Sequence, residues 1–110
     1  MVSFPDFIRH LPKVDVKIDG FTGYLFQDSH QQIVFMEFTK DTDIAEHIHE
    51  SQWEIVLDGS VDVWIDGDKH HYSRGDQFFI PANIPHRANV YAGYKAMSCF
   101  NQSDRYRCLK

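Results

Sequence analysis

Short runs of β-branched and aromatic residues, separated by glycine turns at close intervals, most constrain how this chain of 110 residues can fold. The turns fall at Asp19-Gly20, Asp58-Gly59, Asp66-Gly67, Arg74-Gly75 and Ala92-Gly93. Dipeptides of this kind supply the positive φ that tight hairpin turns require. The runs between them are too short for ordinary helices, and several alternate in polarity. The sequence therefore predicts an all-β sandwich or barrel.

The predicted strands cover most of the chain. They lie near residues 14–18, 23–27, 31–39, 53–57, 61–65, 69–72, 77–80, 87–91 and 94–101. One short helical turn is predicted at residues 6–11, and it ends before Pro12, which cannot continue a helix. A chain of this length suits one domain, which we take as residues 1–110 with a barrel core at about 14–101.

Composition excludes several classes of partner. The formal net charge of -5 argues against nucleic acid, which selects a basic face. No apolar run approaches the roughly 18 residues of a membrane helix, and the N-terminus lacks the pattern of a signal peptide. Cys99 and Cys108 have no zinc spacing, which indicates reduced thiols. We therefore expect a cytoplasmic protein that binds neither nucleic acid nor membrane.

Three histidines are spaced so that a folded chain could bring them together. His47 and His49 are two residues apart and project from one face of an extended segment. His86 follows a proline-bounded turn at residues 81–85, and Gln52 begins the strand after His49. Three imidazole nitrogens and one amide oxygen suit Fe, Ni, Mn, Co, Cu or Zn. The sequence therefore predicts one divalent metal ion as cofactor.

The segment around the paired histidines resembles the first motif of the cupin family. That motif reads Gly-x5-His-x-His-x3or4-Glu-x6-Gly. His47, His49 and Gly59 match it, and Asp41 stands where the first glycine would be.

The segment around His86 resembles the second cupin motif, which reads Gly-x5-Pro-x-Gly-x2-His-x3-Asn. Gly75, Pro81 and His86 fall in register, while Asn89 comes one residue early. Asn83 replaces the middle glycine and can still adopt positive φ. The two motifs span about residues 30–101. The resemblance implies a double-stranded β-helix, or jelly-roll barrel, of the small RmlC-like cupin type, and a homodimer in which the early strands are interface material.

The family spacing leaves two residues open as the fourth ligand. Counting back from Gly59 gives Gln52, whereas counting forward from His49 gives Glu54. The backward count is preferred, because no residue need then be inserted before the turn. Some cupins carry a Gln-Trp-x-x-Val-Leu-x-Gly run here, which residues 52–59 match. A neutral glutamine ligand would leave the metal a stronger Lewis acid.

Alternation along the strand places Glu54 on the same face as Gln52, pointing into the barrel. The carboxylate could then be a general base, a partner to an imidazole N–H, or the alternative ligand. We take Glu54 as the candidate catalytic residue.

The resemblance extends to small cupins that act on unsaturated uronates. In that group an aspartate and a phenylalanine on the last strand, with a following arginine, are implicated in chemistry. Phe100 matches the phenylalanine, Ser98 falls at the aspartate and Arg105 matches the arginine, so the carboxylate is missing. These three residues are the candidate substrate-binding set. Arg105, with Arg107 and Lys110, is either a solvated tail or a clamp on an anionic group.

Two main hypotheses for function follow. The first is a metal-dependent enzyme of isomerase, lyase or dioxygenase type, acting on a small oxygen-rich molecule such as a sugar acid, with the metal as Lewis acid. The alternative is a non-catalytic module that binds a small molecule or the metal itself. A third reading is an interaction protein with vestigial histidines. The sequence does not choose among the metals.

Overall fold

The chain is almost entirely antiparallel β-structure. A computed structural model describes residues 3–109, so Met1, Val2 and Lys110, which include both ends of the predicted domain, lie outside the described residues. The elements are helix α1 (Asp6–Arg9) and strands β1 (Phe21–Gln27), β2 (Gln32–Phe38), β3 (Thr42–His47), β4 (Gln52–Asp58), β5 (Ser60–Ile65), β6 (Asp68–Ser73), β7 (Gln77–Ile80), β8 (His86–Val90) and β9 (Lys95–Phe100). The predicted all-β class with a short N-terminal helical turn is confirmed.

The strands form a sandwich of two sheets. The five-stranded sheet has the order β1-β2-β9-β4-β7, and the four-stranded sheet has the order β3-β8-β5-β6. Neighbours such as β2 and β9 are far apart in sequence, which is typical of a jelly roll and brings distant segments side by side. Along β2, alternate residues are buried, because one face packs on the core and the other faces outward. The core includes Val34, Val56, Tyr94, Ala96 and Phe100, each at most 2% exposed.

Two strand predictions were wrong. Residues 14–18 were predicted as a strand, but this stretch contributes only the isolated bridge of Val14 to Cys108. The backbone N–H of Asp15 donates to Arg107 O at 2.6 Å, so the C-terminal tail provides the pairing there. Conversely, β3 was not predicted. It is mostly polar and exposed, as edge strands often are, so the alternation of a half-buried strand is absent.

A β-bulge in β3 sets the direction of a key side chain. Ile44 pairs with Ala88, whereas His47 pairs with His86, so β3 contains one residue more than β8 over this stretch. In a regular strand Glu46 would share the inner face with Ile44. The extra residue shifts the alternation. His47 is thereby placed toward the space between the sheets, where it lines the internal cavity.

The turn between β7 and β8 links the two histidine segments. Asn83 has φ 61°, which confirms the positive φ expected where the cupin motif has glycine. Its backbone N–H donates to His49 O at 2.9 Å. This bond fixes the loop of His49 beside the start of β8.

The C-terminal tail is held across one end of the sandwich by a buried amide. Gln32, which is 0% exposed, donates through Nε2 to Tyr106 O at 2.9 Å and accepts through Oε1 from the Tyr106 N–H at 3.0 Å. Leu109 adds a backbone bond to Lys13 O at 2.8 Å. Cys99 and Cys108 are both free thiols, as predicted.

Candidate metal centre

Three imidazoles converge at one end of the sandwich. His47 ends β3, His49 lies in the loop that follows, and His86 begins β8. The ring centroids of His47 and His86 are 4.2 Å apart, and those of His49 and His86 are 4.5 Å apart. Within residues 3–109 these are the His, Cys, Asp and Glu side chains grouped closely enough to hold a metal ion, with ligand atoms within 4.8 Å of one another.

Each imidazole is oriented by its own backbone. Nδ1 lies 2.7 Å from Ala45 O in His47, 2.6 Å from Glu50 O in His49 and 2.9 Å from Ile84 O in His86. A carbonyl oxygen only accepts, so each Nδ1 carries the proton and donates it. In a neutral ring the Nε2 atom then carries the lone pair, which is the atom that binds metals.

The spacing of these lone pairs fits one cation. The Nε2 atoms of His49 and His86 are 3.0 Å apart. Two nitrogens bonded at about 2.1 Å to one ion, at an angle near 90°, would be separated by about 3 Å. Without a proton or a cation between them, two lone pairs at this distance repel each other. The arrangement therefore matches the donor set of a divalent metal ion.

Burial keeps two of the rings neutral. It lowers the pKa of His49 to about 4, with smaller contributions from His86 and Arg105, while the bond to Glu50 O opposes the change. Burial also lowers the pKa of His86. A neutral imidazole is the form that binds a cation.

Gln52 and Glu54 lie in the wall beside the histidines, on the same inward face of β4. The Gln52 amide donates through Nε2 to Glu54 Oε1 at 3.0 Å and to Ser98 Oγ at 3.3 Å. Since the amide is planar, its oxygen lies on the opposite edge and is the atom left for a cation. Glu54 does not belong to the group of clustered ligand atoms, so this grouping gives no support to Glu54 as the fourth ligand.

Glu54 is the centre of a buried polar network. Ser98 Oγ and Tyr94 Oη both donate to its carboxylate, in addition to Gln52. Burial raises the pKa of Glu54, and these hydrogen bonds oppose that change. Tyr94 was not predicted as a site residue. It is separated from Ser98 and Phe100 by an even number of positions, and this spacing indicates side chains on one face of an extended segment.

The histidines line one end of an internal cavity of about 180 Å³. The remaining walls come from both sheets and are mainly aliphatic and aromatic. Gln52 lies in the cavity wall with the three histidines. Two residues farther along β4, Glu54 pairs with Ser98 of β9 and with Phe78 of β7.

The predicted substrate-binding residues also lie at this cavity. Phe100 packs edge-on against His49, with ring centroids 5.3 Å apart. The Arg105 guanidinium lies 4.7 Å from the Tyr106 ring centroid and 5.9 Å from that of Phe100, and it lines the cavity. Arg105 Nε is buried and has no hydrogen-bond partner among the described residues. Ser98 is completely buried and bonded to Glu54.

The fold and this cavity together define a small jelly-roll protein with a histidine-rich pocket. The family model described as cupin domain matches residues 34–100, which is more than half of the chain. The chain belongs to the cupin domain family. No curated protein matches its sequence.

Several solved structures share the fold. An RmlC-like cupin from Shewanella frigidimarina has 23% identity and a TM-score of 0.77, over 94% of this chain and 91% of that chain. KdgF from Halomonas sp. has 21% identity and a TM-score of 0.71, over 83% and 87%. Salicylate 1,2-dioxygenase from Pseudaminobacter salicylatoxidans has 15% identity and a TM-score of 0.68, over 78% of this chain and 27% of that chain.

Across residues 3–109, no helix has the length and apolar character needed to span a membrane.

Proposed function

We propose that this cupin is a metal-dependent enzyme that acts on a small oxygen-bearing molecule, by isomerase, lyase or dioxygenase chemistry. The ligands would be His47, His49, His86 and the amide oxygen of Gln52, holding one ion of Fe, Ni, Mn, Co, Cu or Zn. The observation that carries the proposal is the convergence of the histidines, with each Nδ1 tied to a carbonyl oxygen. When bound, the metal supplies a Lewis acid for an oxygen of the substrate.

The chain's own residues complete the site. Arg105 has a buried N–H without a partner, so it would bind an anionic group of the molecule. Tyr106, held by Gln32, forms a wall that excludes water from the same end of the cavity. Phe100 packs against His49 and limits how the molecule can lie beside the histidines.

Elemental analysis of protein prepared without a histidine tag tests the proposal. We expect about one equivalent of a divalent transition metal per chain. His86→Ala should reduce the metal affinity by more than the roughly 10–100-fold typical of changes behind a ligand. His30→Ala is the matched control, because His30 is exposed and its hydrogen bond to Asp28 is donated by its backbone N–H. Equal metal affinity in both variants would contradict the proposed ligand set.

A non-catalytic binding module is the second candidate, and Glu54 favours it. Both carboxylate oxygens already accept hydrogen bonds from Gln52, Ser98 and Tyr94, so the carboxylate does not face the cavity free. The catalytic role predicted for Glu54 stays a prediction. A metal-loaded protein that binds small acids but converts none of them would favour the binding module over the enzyme.

A further inference from the structure

We infer that the cavity holds a small carboxylic acid with an apolar body, such as a single ring or a short branched chain, in preference to a polyhydroxylated sugar acid. This rests on the proposed function, since it names the class of molecule that the same site takes. The inference is carried by the walls of the cavity, by the state of its polar groups and by the unpartnered Arg105 at the metal end.

The walls beyond the histidines are mainly apolar. They include Met36, Ile44, Val61, Val63, Phe78 and Val90. The cavity measures about 180 Å³. An engineered cavity of about 150 Å³ with similar walls stays dry and admits benzene. A body of six or seven carbon atoms therefore fits here in size and in polarity.

The polar groups of the interior are committed to one another. Glu54 accepts from Tyr94, Ser98 and Gln52, which leaves few free donors or acceptors deep in the cavity. The hydroxyl groups of a sugar would lose their hydrogen bonds to water there and gain few in return. A buried hydroxyl without a partner costs binding free energy. An apolar body gains free energy from the same transfer.

Arg105 provides for the charged end of the molecule. Its Nε–H is buried without a partner, and no carboxylate of the described residues lies within ion-pair distance of its guanidinium. Arginine forms paired hydrogen bonds with a carboxylate. The acid group would then sit between Arg105 and the histidines, with the apolar body directed toward Val63 and Phe78.

Titration calorimetry on the metal-loaded protein tests this inference, with benzoate and galacturonate as probes. We expect saturable binding of benzoate, at least about tenfold tighter than that of galacturonate. Arg105→Gln should weaken benzoate binding about tenfold or more. Ala88→Leu, which fills the cavity one layer below His86, should do the same while the metal content is unchanged. Arg107→Gln is the control, because this neighbouring arginine is exposed.

Equal binding of the two acids, binding of neither, or equal behaviour of the two arginine variants would overturn the inference. Metal content measured on the same samples separates this outcome from failure of the proposed function. A chain without metal contradicts the metal site, whereas a metal-loaded chain that ignores benzoate contradicts only the substrate class. If Ala88→Leu does not melt cooperatively, the two arginine variants decide.

Discussion

At the scale of single residues, the hydrogen-bond partners of the Gln52 amide determine which of its two polar atoms is available to a cation. Its nitrogen is held by Glu54 and Ser98, so its oxygen is the free end. Were the amide reversed, its NH2 group would face the position of the cation, and an amide N–H cannot bind a cation. Glu54 is therefore a positioning residue for Gln52 in this proposal, acting through the hydrogen bond between them.

Glu54→Gln should weaken metal binding by about tenfold, within the range for groups behind a ligand. Three donors converge on the two carboxylate oxygens, whereas a glutamine amide offers only one oxygen. At least one of the three bonds must then break or reverse, which frees Gln52 to turn. Calorimetric titration with the native metal measures the change, and turnover of any active substrate should fall with it. Unchanged affinity would show that Gln52 does not depend on Glu54.

Asp62, which is not among the residues that line the cavity, provides a pH-dependent contribution to stability. Hydrogen bonds from Tyr91 and His71, with Lys69 nearby, hold the pKa of this carboxyl below its usual value. A carboxyl with a lowered pKa stabilises the fold above the pKa of the unfolded chain, and this contribution is lost as pH falls through the folded value.

Asp62→Asn should lower the free energy of unfolding by about 1–3 kcal/mol at pH 7, because a buried charge-assisted bond is lost. The difference from the unmodified chain should shrink below about pH 4, where the unfolded carboxyl binds a proton. Urea unfolding at pH 7, 5 and 3 measures it. The exposed Asp68→Asn should change stability by less than about 0.5 kcal/mol throughout. A constant difference for Asp62→Asn at every pH would refute the linkage.

At the scale of elements, the β4–β5 turn depends on one glycine in two ways. Gly59 has φ 71°, which side chains rarely adopt, and an added Cβ would lie 2.9 Å from Gly93 O and Tyr94 N. Gly67, in the next hairpin turn, has φ 83° but nothing within 4 Å of such an atom. An alanine at position 67 would therefore introduce backbone strain alone, whereas an alanine at position 59 would introduce strain and a steric clash.

Gly67→Ala should cost about 1–2 kcal/mol of unfolding free energy, the strain of a left-handed alanine. Gly59→Ala should cost at least about 1 kcal/mol more, because the backbone of residues 93 and 94 must also move. Chemical denaturation of both variants measures the difference. Equal losses would mean that the clash relaxes without cost.

Sequence patterns predicted the elements whose signals are local. The hairpin turning at Gly59 followed from its turn dipeptide and its alternating flanks. Strand β3 escaped prediction because its sequence is mostly polar, as is common for edge strands, and Ile44 alone gives its inner face no apolar alternation. The direction of His47 was also beyond local reasoning, since it depends on a bulge defined only against β8.

At the scale of the whole molecule, the topology produces the site. Strands β4 and β9 pair although some forty residues separate them, so Glu54 meets Ser98 and Gln52 adjoins Phe100. Family motifs predicted which histidines to group and that Gln52 was preferred over Glu54. The partners of Glu54 could not be predicted, because they depend on the register between distant strands. The position of the C-terminal tail could not be predicted either, because it depends on hydrogen bonds to Gln32, which is distant in sequence.

Gln32→Leu should release the C-terminal tail while the sandwich stays folded. The substitution removes both hydrogen bonds to the Tyr106 backbone, at a cost of about 1–3 kcal/mol. Hydrogen exchange of the Tyr106 amide should become faster, while that of Val34 should remain slow. Gln31→Leu, at the exposed neighbouring position, is the control. Slow exchange at Tyr106 in Gln32→Leu would show that other contacts hold the tail.

The tail adds Arg105 and Tyr106 to the cavity although residues 102–109 belong to none of the named strands. Under the proposed binding mode, a stretch of the polypeptide that contributes no strand to either sheet would hold the acid group, while the apolar body would lie against residues of the strands. Substitutions in the tail would then change which charged groups are accepted without repacking either sheet. A changed preference for the apolar body would instead require substitutions in the core.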